Sequence, residues 1–294
     1  MCRIFGFRSV LDSQVHRSLL SAENALAVQS ERHPDGWGVV YYTAGAPHVV
    51  KSTGTAATDA LFRRVGGVVT SRTVLAHIRK ATRGELHPLN CHPFQYGRWT
   101  FAHNGDLAGF DVIRDALLAK VAPALRRFIL GDTDSEVVFF LFLTHLSLRT
   151  DLTRPGTPLH DVVEAMRSAV DDVRALTDDR PEPTYLTFVV TDGDLLAAHQ
   201  GGKELFVSTH KQRCPDRDRC SFFAGSCEAP PVDGAPVQHL VLSSEPLDGE
   251  NLWDALAPGD IVGVDGRMHH LRRPAANPWP TVPAARCGEA SSRA

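Results

Sequence analysis

Cys2 lies directly behind the initiator Met1, so loss of one methionine puts a thiol and a free α-amine on the same carbon. An unperturbed thiol ionises near pH ~8.5 and an α-amine near ~7.7 to 8, so at neutral pH the amine can accept the thiol proton directly or through one water. One residue then supplies nucleophile and base, which is the chemistry needed to open an amide through a thioester. Four segments downstream offer the remaining parts. Arg79, in Ala76-His77-Ile78-Arg79-Lys80-Ala81-Thr82-Arg83-Gly84, can clamp a carboxylate with two parallel hydrogen bonds. The second segment is Asn90-Cys91-His92-Pro93-Phe94. In Phe101-Ala102-His103-Asn104-Gly105, Asn104 offers a side-chain NH2 and Gly105 an unobstructed backbone N–H, two donors for a developing oxyanion. In Gly131-Asp132-Thr133-Asp134-Ser135-Glu136, Asp134 can hold an ammonium. Singly, each has a plainer reading: a surface arginine at a strand end, an Asn-Gly turn, an acidic helix start.

A catalytic terminus must be ordered, and residues 1–7 alternate polar and apolar side chains as a half-buried strand does. Ser13 can cap a helix reaching about Ser30, with Val15, Leu19, Ala22 and Leu26 on one face, before His33-Pro34-Asp35-Gly36 breaks it. Gly38 to Thr43 and His48 to Thr53 read as a hairpin, and Thr73 to Ile78 and Trp99 to His103 as further strands. Helices are expected from about Leu107 to Lys120, from Thr133 to Leu148 with Glu136 early in the first turn, and from Pro158 to Leu176. Short strands follow at Tyr185 to Thr191, Leu195 to His199, Glu204 to Ser208, Ser221 to Ala224, Val237 to Ser243, Ile261 to Val264 and Met268 to Leu271. Strands, then helices, then strands imply packed sheets with helices outside. Residues 2–272 read as one unit, and 273–294, rich in Pro, Ala, Arg and Ser without periodicity, as a mobile tail.

Composition narrows the function. A net charge of −3 and an isoelectric point near 6.5 lack the broad basic surface that phosphate backbones require, which argues against nucleic acid. The longest apolar run, Val137 to Leu143, is far short of the roughly 20 residues of a membrane span. Arg8 and Asp12 interrupt any signal-peptide core, so a cytoplasmic location is expected. Six cysteines are too few for a disulfide scaffold. His210, Cys214, Cys220 and Cys227 share one window, but their separations do not match the paired spacing of zinc knuckles, and a polar loop with incidental cysteines is the expectation. No metal and no cofactor is expected.

The order and spacing of the segments resemble the glutaminase domain of class II glutamine amidotransferases, which are N-terminal nucleophile hydrolases. The resemblance rests on Cys2, the stretch Arg32 to Gly38, His77 to Gly84, Asn90 to Phe94, His103 to Gly105 and Thr133 to Glu136. It continues weakly into Ser243-Ser244-Glu245-Pro246. It is strongest to small stand-alone members carrying Pro-Asp-Gly-Trp-Gly, here Pro34 to Gly38. The resemblance implies an α+β fold, a four-layer αββα sandwich. It implies Cys2 as nucleophile, Asn104 and Gly105 as oxyanion hole, Arg79 and Asp134 gripping the α-carboxylate and α-amine of glutamine, Thr82 helping to hold the substrate, and Arg32 near the nucleophile's terminus. Lys80 replaces a common aromatic residue, Arg83 stands where sugar-amidating members have histidine, and Cys91 precedes His92 where a small residue is usual.

The activity expected is hydrolysis of the γ-amide of glutamine or of a γ-glutamyl amide. The residues beyond the third helix read as the rest of the same sandwich, so ammonia is expected to be released or passed to a partner synthase, or the substrate is a γ-glutamyl conjugate. Two other classes are a catalytically silent regulatory subunit that keeps the fold, and a metal or redox protein using the cysteines between 214 and 227. Retention of Cys2, Arg79, Asn104, Gly105 and Asp134 together argues against the silent one.

Overall fold

The alternation at the start of the chain becomes a central strand. In the computed structural model, which describes residues 2–232, 234–275 and 279, strand β1 (Arg3–Gln14) turns Ile4 toward one apolar cluster and Phe5 toward another on the opposite face. The chain continues through a π-helical turn (Arg17–Ser21), α1 (Leu26–Gln29), a 3-10 turn (Ser30–Arg32), β2 (Trp37–Thr43), β3 (Ala46–Ser52), α2 (Ala60–Val68) and β4 (Thr70–Ile78). A 3-10 turn at Pro88–Asn90 leads to β5 (Phe94–Tyr96), β6 (Trp99–Asp106), α3 (Phe110–Lys120), α4 (Pro123–Arg126), α5 (Asp134–Ser147) and α6 (Leu159–Thr177). The last strands are β7 (Tyr185–Thr191), β8 (Leu196–His199), β9 (Phe206–Ser208), β10 (His239–Ser243), β11 (Asp254–Ala255), β12 (Ile261–Val264) and β13 (His270–Arg273).

They form two antiparallel sheets, ordered β11-β9-β10-β1-β4-β2-β3 and β13-β12-β8-β7-β6-β5. Ile4, Val40 and Leu75 of the first sheet meet Ala102, Val189 and Leu196 of the second in an apolar layer between them. On the outer face of the six-stranded sheet, Phe101 and Phe188 pack against Phe139 of α5 and Met166 of α6. On the outer face of the other, Phe5, Trp37 and Val39 are covered by Leu19, Leu26 and Phe62. The layers are therefore helix, sheet, sheet, helix. The run Val137 to Leu143 is buried along its whole length because α5 lies between β6 and α6, which is why it shows no polar face.

The helix expected over 13–30 does not form as one element. Ser13 and Gln14 stay in the sheet, pairing with Ser71 and Thr70 beyond a register shift after Arg8. Asn24 then donates to the Pro246 carbonyl (2.7 Å) and accepts from Asp248 N–H (3.0 Å), side-chain bonds that compete with helical ones. Val15, Leu19 and Leu26 are nonetheless buried, so the periodicity reported burial correctly and backbone conformation wrongly. Helix α2 was unforeseen; Asp59 caps it by accepting from Leu61 N–H (2.8 Å). Ser221 to Ala224 is a turn that runs into a 3-10 turn at Gly225–Cys227 instead of a strand. Arg273, at the start of the expected tail, ends β13, and Trp279 is buried edge-on against His199 with the Arg174 guanidinium over its ring. The rest of that tail, 276–278 and 280–294, lies outside the described residues.

Candidate active site

Strand register brings Cys2 to its neighbours. Arg3 pairs with Ile78 across the antiparallel β1–β4 ladder, so the residue before Arg3 meets the residues after Ile78. Cys2 Sγ accepts from Lys80 N–H (3.3 Å) and donates to the Lys80 carbonyl (3.4 Å). Burial pushes the Cys2 thiol up, against the opposing pull of the Lys80 N–H and the Arg79 charge, so the thiol is held protonated until a base removes its proton.

The turn after β4 is fixed from both sides. Arg79 is buried and donates to the carbonyls of Arg83 (2.7 Å), Gly84 (3.3 Å) and Glu85 (3.2 Å), so its guanidinium braces the turn with donors the sequence reading gave wholly to a substrate carboxylate. Asp35 accepts from Ala81 N–H (2.8 Å), while the backbones of Asp35 and Gly36 bond Arg79. A Cβ on Gly38 would collide with the His92 carbonyl, so Pro34 to Gly38 packs against the turn and against Asn90 to Phe94 in a way only glycine allows. Asn90 in turn donates to the Glu85 carbonyl (3.1 Å) and accepts from Asp132 N–H (3.0 Å), tying the turn to the start of α5.

At that start Thr133 Oγ1 accepts from Glu136 N–H (3.3 Å), and the Glu136 carboxylate folds back to accept from Leu130 N–H (3.1 Å) and Gly131 N–H (2.6 Å). Asp134, buried at the first helical position, accepts from Leu107 N–H (2.9 Å), Ser135 N–H (2.7 Å) and the Ser135 hydroxyl (3.2 Å). Arg83 donates to Asp106 (2.6 Å) and Asp111 (3.1 Å) with its guanidinium 5.7 Å from the Phe110 ring, which fastens the turn to α3.

Cys2, Arg79, Thr82, Gly105 and Asp134 line one small pocket, together with Lys80, Arg83, His92, His103, Thr133 and Ser135. Two residues named from the sequence stand apart from its lining. Arg32 ends the 3-10 turn on the surface. Asn104 is buried beside Gly105 on the strand face that Ala102 turns toward the other sheet, and its Oδ1 has no hydrogen-bond partner. His77 lies behind His92 of the lining, the two ring centres 4.1 Å apart with planes tilted by 38°, and His77 Nε2 donates to the His103 carbonyl (3.1 Å). Burial depresses His77 to about 3 and His92 well below its ordinary value, so both rings are neutral at physiological pH. Sequence reasoning gave no role to Ser135, His92 or His103; the adjacency of His103 to Asn104 and of Ser135 to Asp134 was the available signal. Among the described residues, His210, Cys214, Cys220 and Cys227 included, no group of three His, Cys, Asp or Glu is placed to hold a metal ion.

A family model described as class II glutamine amidotransferases matches residues 1–281. The chain is similar to the probable glutamine amidotransferase DUG3 of Saccharomyces cerevisiae, 31% identical over 302 residues that cover 90% of this chain and 82% of that protein. It is also similar to the gamma-glutamyl-hercynylcysteine sulfoxide hydrolase of Mycobacterium tuberculosis, 32% identical over 158 residues that cover 47% of this chain and 66% of that one. A glutamine aminotransferase class-II domain protein from Silicibacter pomeroyi superposes with a TM-score of 0.62 at 21% identity, covering 94% of this chain and all of that one, a likeness of fold.

Proposed function

The chain belongs to the class II glutamine amidotransferases, and from that premise we propose that it opens the side-chain amide of glutamine or of a γ-glutamyl amide through a thioester on Cys2. The freed Cys2 amine takes the thiol proton and the sulfur attacks the amide carbonyl. Asn104 and Gly105 stabilise the tetrahedral oxyanion, and the protonated amine returns its proton to the leaving nitrogen. Ammonia or an amine departs, and water resolves the thioester to glutamate and free thiol. Asp134, with Thr82 beside it, takes the substrate ammonium, while Arg79 offers the carboxylate the donor capacity that the turn does not consume. Arg32, exposed at the end of its 3-10 turn, is left out of the mechanism. The reaction needs no cofactor.

One observation carries this reading: a terminal cysteine, a glycine strand end, an arginine turn and an acidic helix start, far apart in the chain, line the same small pocket. The buried, protonated thiol supports the need for a base within reach. The relative from Mycobacterium tuberculosis, named for a γ-glutamyl conjugate, keeps such conjugates in the substrate class beside glutamine. With glutamine, the ammonia released is available to a partner synthase. A cytoplasmic setting, expected from the sequence, is part of this proposal; among the described residues no helix is long and apolar enough to cross a membrane.

Intact mass of the purified protein, followed by incubation with glutamine and with several γ-glutamyl amides, tests the proposal. Loss of Met1 and release of glutamate are expected. A protein that retains Met1 and is inert toward every amide overturns it, and turnover of a conjugate without turnover of glutamine selects the conjugate hydrolase.

A further inference from the structure

The hydrogen bonds of His103 leave a single consistent placement of protons when the ring is neutral. Its Nε2 lies 3.1 Å from the Tyr185 carbonyl, which only accepts, so Nε2 carries the hydrogen. Nδ1 is then a bare acceptor 2.8 Å from Ser135 Oγ, and the hydroxyl must donate to it. The same hydroxyl is 3.2 Å from Asp134 Oδ1, and one hydrogen cannot serve both. Protonating the ring reverses the arrangement: Nδ1–H donates to Ser135 Oγ, and the hydroxyl proton turns to Asp134. Gly105 is part of the device, because a Cβ there would strike both His103 Nε2 and the Tyr185 carbonyl.

We propose that His103 is a positioning residue that sets, through the Ser135 hydroxyl, how strongly Asp134 holds the ammonium of an amino-acid substrate. With the ring neutral, Asp134 Oδ1 is relieved of the hydroxyl and keeps its charge for the ligand. With the ring protonated, the hydroxyl occupies Oδ1 and a positive charge stands behind it, so the ammonium is held more weakly. This inference rests on the reading of Asp134 as the ammonium site.

Burial of His103 lowers its pKa while Asp134 and Asp106 oppose the shift, which puts the neutral arrangement at physiological pH. The other titratable groups facing it are His77 on β4, His92 before β5 and His199 on β8. Cys2 and Arg83 face Asp134. Burial holds the three histidines neutral below the range in which ordinary histidines titrate, so they add little charge change of their own there.

Steady-state kinetics of the full chain between pH 8 and pH 5, with the best γ-glutamyl amide, read the coupling, and 15N NMR of the His103 ring reads the proton positions. Expected are an Nε2–H tautomer at neutral pH and a KM that climbs about tenfold toward acid, the weight of one hydrogen bond to a charged group, separate from the fall in kcat that protonation of the Cys2 amine brings over the same range. Ser135→Ala should flatten that climb and shift the Nδ1 resonance, and Ser135→Thr, which keeps a hydroxyl, should restore both. A Ser135→Ala protein with the full acid rise in KM, or an Nδ1–H tautomer in the unaltered protein, overturns the proposal. If the unaltered protein turns over no amide, the functional reading fails on its own, and the tautomer and its response to Ser135→Ala still decide the proton arrangement.

Discussion

The two walls of the pocket are held by different means. The Cys2 wall is set by backbone: β1 is paired on both sides, to β10 and β4, and that register alone carries the sulfur to Lys80. The opposite wall is set by side chains, with Asp134, Ser135 and His103 linked by hydrogen bonds at the mouth of α5. A ladder spreads positional information over many bonds, so altering one side chain on it changes chemistry and leaves geometry alone. A side-chain network concentrates positional information, so one deletion there changes geometry too.

The largest effect should come from the ladder wall. Cys2→Ser removes the nucleophile and leaves the strand pairing, so turnover should fall by ~10⁴-fold or more with an unchanged melting temperature. A Cys2→Ser enzyme within tenfold of the unaltered rate breaks the distinction. Asn104→Ala should cost ~100- to 1,000-fold in kcat with KM nearly constant, as loss of an oxyanion donor does; a normal kcat would remove Asn104 from the mechanism. Gly38→Ala forces a Cβ into the His92 carbonyl and should destabilise by ~1–3 kcal/mol in urea titration, a test of how far the ladder wall depends on close backbone packing. Thr133→Ala should cost about 1 kcal/mol through loss of the α5 cap and should raise KM, because Asp134 is aimed by that helix start. A Thr133→Ala protein with altered stability and unaltered KM would show that Asp134 is aimed without the cap.

Acid tests the comparison through the buried rings. Burial holds His77 at about 3 and His199 at about 4, whereas in the unfolded chain histidine titrates near ~6.5. The folded state therefore binds fewer protons, and this stability is fully present above pH ~6.5 and drains as pH falls toward the folded values, by up to ~1.4 kcal/mol per pH unit for each ring. Denaturant titrations between pH 7 and pH 4 should show the loss, and His77→Phe should reduce its slope. An unchanged slope would place the acid sensitivity elsewhere.

Local pattern carried the reading where one element decides the outcome. The alternation in β1, the hairpin of β2 and β3, the long stripe of α6 and the capped start of α5 all follow from side chains within a few residues of each other. It failed where distant residues decide. Asn24 is drawn out of a helix by backbone more than 200 residues away, and α2 was hidden by Gly66 and Gly67 even though Asp59 announces it. Ser135 and His103 each adjoin a residue already singled out, yet nothing in their spacing says that the two side chains touch.

By itself the sequence determined the residue types: a thiol that can share a carbon with an amine, donors at a strand end, an acid at a helix start, and the family whose spacing they follow. The tertiary structure decided which of them meet. It set Cys2 against Lys80 through strand register, turned Arg79 into a brace for its own turn, left Arg32 on the surface, and gave Asp134 a histidine behind it. The reason is physical: residue type and period are local properties, whereas register between strands distant in sequence and the competition for one hydroxyl proton exist only once the layers have packed.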